Sequence, residues 1–335
     1  MNKQKDKLLA YIDSFSGKKI AVWGDFILDE YLYGTTRRIS REAPVLILSY
    51  RNHEFLLGGA GNSLQNLKAL GADPIPIGVL GQDTAGRKIT SLVKKKEISQ
   101  EFLLVEKSFS TPMKTRILAG EENTRKQQIL RIDKEATVPD TATLNRRLAK
   151  ALKTAKRQVD ALIISDYNYL SVKESVYTQV IPEFKQKGIP VSLDSRFRLL
   201  NFKGATVTTP NEPEVEAGLQ LRLHDEGTQI KEAGKKLLKA TETQAVLLTR
   251  GSKGMVLFQK GKPFVSIPVY GSTNIVDVTG AGDTVISVFT LALTAGATFQ
   301  DAAQLANYAG GIVVMKKGTA TVSPQELREA IVSEP

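Results

Sequence analysis

The stretch "VDVTGAGDTVISVF", residues 276–289, sets two glycines and an alanine beside an aspartate and then turns abruptly apolar. Glycine lets a backbone approach a ligand closely and take turns closed to larger side chains. The run that follows, "TVISVFTLAL", has the apolar content of a buried helix, so Gly280, Ala281 and Gly282 fall at its N-terminus. Free N–H groups and the positive end of the helix dipole make that place an anion site. Asp283 beside it admits two readings. It is a general base, taking a proton from a hydroxyl while the amides hold the phosphate under attack. Or it caps the helix and favours its dipole.

A second glycine cluster, "LLGGAGNSLQNLKALGA" (56–72), puts Gly58, Gly59 and Gly61 ahead of Asn62 and of a helix carrying Leu64, Leu67 and Leu70. Asn62 can donate to and accept from sugar hydroxyls, or it can cap the helix.

Working outward, strands are expected at 18–25, 73–81, 160–167, 189–195, 205–211 and 245–251. Amphipathic segments such as "LNRRLAKALKTAKRQV" lie between most of them. Nearly apolar strands alternating with helices predict an α/β fold, a mostly parallel central sheet with helices on both faces. Two regions break the alternation. Residues 30–55 and 111–133 read as strand–turn–strand hairpins. They are expected to form a small sheet, a lid over the mouth of the core, and to pair with another subunit in a homodimer. No repeat or linker divides the chain, so residues 1–335 read as one domain.

Composition narrows the chemistry. An apolar fraction of 41% and a charged fraction of 24% are ordinary for a globular protein. The chain has no cysteine, which excludes disulfides, thiolate metal sites and cysteine nucleophiles. Two histidines, His53 and His224, argue against a histidine metal site or a Ser–His–Asp triad. The N-terminus has no apolar signal core, and "VISVFTLALTAGA" is too short and interrupted to span a bilayer. A soluble, cytoplasmic protein with no membrane partner is expected.

The net charge of +11 is spread along solvated faces such as "SLVKKKEISQ" and "KEAGKKLLKATE". No nucleic-acid partner is expected from that distribution. Such a field suits nucleotides and sugar phosphates. "GQDTAGRK" (81–88) imitates a phosphate-binding loop, but Arg87 and Lys88 stand at its Lys and Ser/Thr places and supply no hydroxyl for magnesium. No G-x-G-x-x-G follows the first strand, which argues against a dinucleotide dehydrogenase.

The pair "GGAGNSLQNLKALG" and "DVTGAGD" resembles the two signatures of the ribokinase-like, PfkB-type carbohydrate kinases. "GDFILDEY", "GQDTAGR", "TPNEPE" and "TRGSKG" extend the resemblance over nearly the whole chain. Within that family, "GDFILDEYLYGTTRRISREAPV", "SDYNYL" and "GIVVMKKGTATVSPQEL" resemble the heptose-7-phosphate kinases. The resemblance implies an ATP-dependent enzyme that phosphorylates the anomeric hydroxyl of D-glycero-D-manno-heptose 7-phosphate, in the synthesis of lipopolysaccharide-core precursors. The competing readings are a kinase of the same fold acting on another sugar, and a catalytically silent sugar- or nucleotide-binding regulator.

By this resemblance Asp283 is the catalytic base, and the backbone of Gly280, Ala281 and Gly282 is the anion hole. Asp29, assisted by Asp25, would bind sugar hydroxyls with Gly58, Gly59 and Asn62; Asp25 could instead be a turn residue. Asn211 and Glu214 match the family's N-x-x-E motif, with Glu214 reaching Mg²⁺ through water, although "NEPE" also reads as a turn into a helix. Thr249, Arg250 and Gly251 would border the nucleotide, and Asn307 would pass near adenine or sit in a helical core. Arg196, with Arg198, would replace a lysine near the phosphates, since "LDSRFR" departs from the family's Asp-Pro-Lys. Asp277 and Thr279 match a monovalent-cation site, which makes K⁺ a candidate cofactor. Arg37, Arg38, Arg41, Arg116 and Arg131 are candidates for the sugar phosphate, whose oxygens suit arginine's planar fork, or for plain surface solvation. Many heptose kinases carry a nucleotidyltransferase domain that this sequence does not contain, so a separate nucleotidyltransferase is expected in the pathway, or a further part of the protein outside this sequence.

Overall fold

The computed structural model describes residues 3–121, 126–223, 227–271 and 275–334. The turn of the second expected hairpin, 122–125, and His224 lie outside the described residues.

The strands are β1 (Lys19–Gly24), β2 (Phe26–Ile39), β3 (Leu46–Gly59), β4 (Asp73–Gly81), β5 (Phe102–Glu106), β6 (Met113–Gly120) and β7 (Gln127–Lys134). They continue with β8 (Ala161–Asp166), β9 (Val191–Ser195), β10 (Val207–Thr208), β11 (Ala245–Thr249), β12 (Met255–Gln259) and β13 (Val265–Ile267). The helices are α1 (Lys3–Asp13), α2 (Ala60–Ala69), α3 (Thr84–Lys95), α4 (Ala142–Ala155) and α5 (Glu174–Gln186). The remaining five are α6 (Glu212–Leu219), α7 (Thr228–Thr241), α8 (Ala281–Thr294), α9 (Phe299–Val313) and α10 (Pro324–Ser333).

Nine strands form one sheet in the order β13-β12-β11-β10-β9-β8-β1-β4-β5. Every pairing from β11 to β5 is parallel, and at one edge β12 pairs antiparallel with both β11 and β13. Side chains alternate across it, as the period of two requires. On β1, Ile20 and Val22 enter one core with α1–α3 and α8–α10. Ala21 and Trp23 enter the other with α4–α7. Helices on both faces are what near-continuous apolar strands demand.

The second sheet has four strands in the order β3-β2-β6-β7. Each expected hairpin is antiparallel, and a parallel pairing of β2 with β6 joins the two. A single residue, Asp25, separates β1 from β2, and β3 runs directly into α2. The first hairpin therefore begins earlier and ends later than the expected 30–55, because its strands grow straight out of the core.

All six expected core strands are present, though β10 keeps only two residues before Pro210, which lacks an N–H for the ladder. The short strands β5, β12 and β13, at the two ends of the sheet, were not expected.

Candidate active site

In an open parallel sheet, ligands bind beyond the carboxyl ends of the strands. Here the chain leaves β1 at Asp25, β8 at Tyr167, β9 at Arg196, β10 near Asn211 and β11 at Arg250. One rim collects most of the expected site.

Asp283 is its centre. It lies in the first turn of α8 and is 3% exposed. Asn62 Nδ2 donates to Asp283 Oδ2 at 3.0 Å, and Tyr167 Oη donates to both carboxylate oxygens at 3.1 Å. Burial pushes its carboxyl up to about 7, against the lowering pull of those two donors. Asp29 raises it further, and Arg196 lowers it. A carboxyl poised near neutrality is suited to accept a proton at working pH.

The anion-site geometry beside it is sterically imposed. Gly280 precedes α8 with φ +77°, and a Cβ there would sit 2.3 Å from Asn62 Nδ2. Ala281 N–H is turned to the Val278 carbonyl at 3.2 Å. The amides of Gly282 and Asp283, without helical partners in the first turn, remain to hold an anion. Of the expected Gly280–Gly282 set, the Ala281 amide is thus engaged, and the Asp283 amide stands next to that of Gly282 at the helix start.

On one side of α8 opens a cavity of 590 Å³, lined among others by Asn211, Thr249, Gly251, Ala281, Gly282 and Asn307. Val269, Ile275, Val278 and Val285 supply apolar walls. Those dimensions and that mix of apolar walls with few polar groups suit a nucleotide. Arg250 also borders it, with its guanidinium held by Glu212 at 2.7 Å. Asn307 donates to the Pro268 carbonyl at 2.9 Å, which ties the cavity wall to α9.

Asn211 and Glu214 form a reciprocal capping box on α6, each side chain accepting the other's backbone N–H at 2.9 Å. The helix-start reading of "NEPE" is thus realised in full. Burial pushes Glu214 up to about 7, and burial followed by Glu214 raises Asp194 on β9. Two such carboxylates with little counter-charge fit a divalent cation with several retained waters.

Asp29 and Arg116 meet on the small sheet at 2.5 Å. Lys114, Arg116, Arg131 and Asp133 share the sheet face with Asp29, and Arg131 and Lys114 each pair with Asp133. Burial raises Asp29 even beside Arg116. Gly58 is obligatory there, since a Cβ would lie 2.2 Å from Asp29 Oδ2. Gly59 closes against the Asp25 carbonyl in the same way.

Three expectations change. Asp25 is engaged by three backbone amides, those of Tyr167, Tyr169 and Ser171 at 2.8, 3.0 and 2.9 Å. It is 1% exposed and organises the loop rather than presenting to the site. Arg37, Arg38 and Arg41 stand exposed at the far tip of the first hairpin, with Arg37 eight residues or roughly 26 Å of strand from Asp29. They are not brought to Asp283, because an extended strand carries its tip away from its root. Arg198 is committed to Asp166 and to the Val172 carbonyl, which leaves Arg196 as the arginine beside the site. Asp277 accepts from Thr279 N and Gly318 N at 2.9 and 3.0 Å; these bonds outweigh its burial and hold it below the usual carboxylate range.

Tyr167 and Asp194 were missed as site residues. The signal was available, a tyrosine in "SDYNYL" and an aspartate in "LDSRFR", each at the carboxyl end of a strand.

Solved structures share this fold. Ribokinase of Arabidopsis thaliana, complexed with ribose and ATP, superposes with a TM-score of 0.71 at 20% identity, covering 94% of this chain and 99% of that one. Escherichia coli phosphofructokinase-2, in complex with potassium, gives 0.70 at 17% identity, covering 94% and 98%. The architecture is ribokinase-like. The pfkB family carbohydrate kinase model matches residues 18–326, and the chain belongs to that family. It is an ATP-dependent carbohydrate kinase. The bifunctional protein HldE of Syntrophotalea carbinolica is 36% identical over 96% of this chain and 64% of its own length. That of Geobacter sulfurreducens is 38% identical over 91% of this chain and 61% of its own length. The chain thus spans less than two thirds of the length of these relatives.

Proposed function

We propose that this kinase transfers the γ-phosphoryl group of ATP to the anomeric hydroxyl of D-glycero-D-manno-heptose 7-phosphate. The observation that carries the reaction type is Asp283, buried at the N-terminus of α8 between the 590 Å³ cavity and the Asp29–Arg116 pair. The hydroxyl proton passes to Asp283 as the sugar oxygen bonds to the γ-phosphorus. The bond from that phosphorus to the bridging oxygen breaks, and ADP leaves. The amides of Gly282 and Asp283 balance the charge on the transferring group. Arg196 borders the same space and adds positive charge there.

Magnesium, when bound, neutralises the phosphate oxygens, and Glu214 would hold it through water. Asp277 and Thr279 are the positions we assign to a monovalent cation such as K⁺, whose field would steady the loop before α8.

The choice of sugar rests on the likeness to heptose-7-phosphate kinases and on the charged face of the small sheet, where Lys114, Arg116 and Arg131 suit a phosphorylated substrate. That sheet is the lid of our reading. The 1,7-bisphosphate would pass to a nucleotidyltransferase activity for conversion to the ADP-sugar.

The test is ADP release from Mg-ATP with heptose 7-phosphate, ribose, fructose 6-phosphate and adenosine, each run with wild type and Asp283→Asn. Turnover is expected with heptose 7-phosphate alone and only in wild type. Turnover confined to another sugar would overturn the substrate and keep the mechanism.

A further inference from the structure

The transfer scheme gives no role to Tyr167. Tyr167 follows β8 directly, and its hydroxyl donates to both oxygens of Asp283 at 3.1 Å. The loop that carries it, residues 167–171, is held from behind by Asp25, which accepts from the amides of Tyr167, Tyr169 and Ser171. Between those anchored residues Asn168 and Leu170 take left-handed φ values of 68° and 65°. Non-glycine residues persist in that region only where the surroundings over-determine them. From the outer side the Arg196 guanidinium lies 5.7 Å from the Tyr167 ring centroid. A tyrosine fixed through its backbone, its ring and its hydroxyl, and aimed at one carboxylate, is a built feature.

We infer that Tyr167 is a positioning residue, which orients Asp283 toward the acceptor hydroxyl and keeps it a carboxylate, and that Asp25 acts through this loop. The inference rests on the reading of Asp283 as base. Donation of a hydrogen bond to the charged form of an acid favours that form. Burial and the Asp283 charge push the Tyr167 phenol well above its ordinary value, so it stays protonated and remains a donor.

The other groups facing Asp283 come from α2, β2 and the end of β9. Asn62 on α2 donates to it, and Asp29 on β2 opposes its ionisation. Asp194 on β9 and Asp283 repel one another, and Arg196 just beyond β9 favours the Asp283 charge. Within the first turn of α8 it is the only acidic residue. Two donors therefore hold a carboxylate in a field where like charges outnumber opposite ones.

The experiment follows the Asp283 carboxyl by ¹³C NMR in aspartate-labelled protein, assigning it as the resonance absent from Asp283→Asn. In Tyr167→Phe its titration should move up by about one pH unit, the tenfold in proton affinity that losing one charge-assisted bond implies. The same variant should lose kcat on heptose 7-phosphate while KM for that sugar stays within about twofold. Asp25→Asn should move the titration in the same direction with Tyr167 still present. An unmoved Asp283 titration in Tyr167→Phe, with the protein folded by circular dichroism, overturns the inference. A moved titration without turnover on heptose 7-phosphate supports it and overturns the sugar reading instead.

Discussion

Asp283 shows how one residue's surroundings decide its chemistry. At the surface its carboxyl would be ionised throughout the neutral range and of little use as a base. Burial destabilises the charge and lifts it to about 7, while Asn62 and Tyr167 pull the other way. The charged form is the competent one, so kcat/KM should rise with pH through about 7 and level off above it. A profile flat from about pH 5.5 to pH 8 would contradict that assignment. Asp283→Asn should lower kcat by about 10²–10⁴, the usual worth of a general base, with ATP affinity by calorimetry nearly unchanged. Wild-type turnover in that variant would sink the role. Arg116→Ala removes the partner of buried Asp29 and one cation facing the proposed sugar phosphate. We expect KM for the phosphorylated sugar to rise roughly tenfold or more and KM for ATP to hold, the loss expected for a charge-assisted hydrogen bond. An equal rise in both would show a general distortion.

At the scale of elements, the short helix α6 borders the cavity we assign to the nucleotide. Its N-terminus is set by the Asn211–Glu214 capping box, which also fixes where the Glu214 carboxylate lies. A single residue thereby serves helix and site. Asn211→Ala should cost about 1 kcal/mol of stability, the usual value of a lost N-cap, read from the urea midpoint. It should also raise KM for Mg-ATP while leaving KM for the sugar in place. Unchanged ATP kinetics would leave the motif a helix start and nothing more. The pairing of α2 with α8 explains the glycine at position 280. Asn62 from one helix bonds the Gly280 carbonyl and the Asp283 side chain of the other, at 3.2 and 3.0 Å. Asn62 and Gly280 lie 218 residues apart in sequence, and the missing Cβ of Gly280 leaves room for Asn62, whereas Gly58 and Gly59 make room for Asp29 and the Asp25 carbonyl.

For the whole molecule, the small sheet leaves Ile39, Leu46, Tyr50, Leu130 and Ile132 more than half exposed. Apolar side chains gathered on one sheet are a surface awaiting a partner. We predict a homodimer in which this sheet packs against its copy. Light scattering at micromolar concentration should give twice the chain mass, and Leu130→Asp with Ile132→Asp should halve it. A monomeric wild type would refute the arrangement. Among the described residues no helix is long and apolar enough to cross a membrane.

The core was legible because its cause is local. Strands apolar on both faces can only be covered by helices on both sides, and the two glycine motifs announce helix starts within a few residues of themselves. The two hairpins were likewise visible as β-rich departures from that alternation. What the chain could not disclose is which polar groups meet. Asp25 and Asp29 are four residues apart and look alike in sequence, yet one faces three loop amides and the other Arg116. Arg196 and Arg198 are two apart, and only the second is drawn to Asp166. Tyr167 and Asp283 are brought together across 116 residues by α8 packing against β8 and β9. Periodicity records which face of an element is buried, because that depends on neighbours along the chain. The partner of a buried charge depends on neighbours in space, and tertiary packing alone decides it.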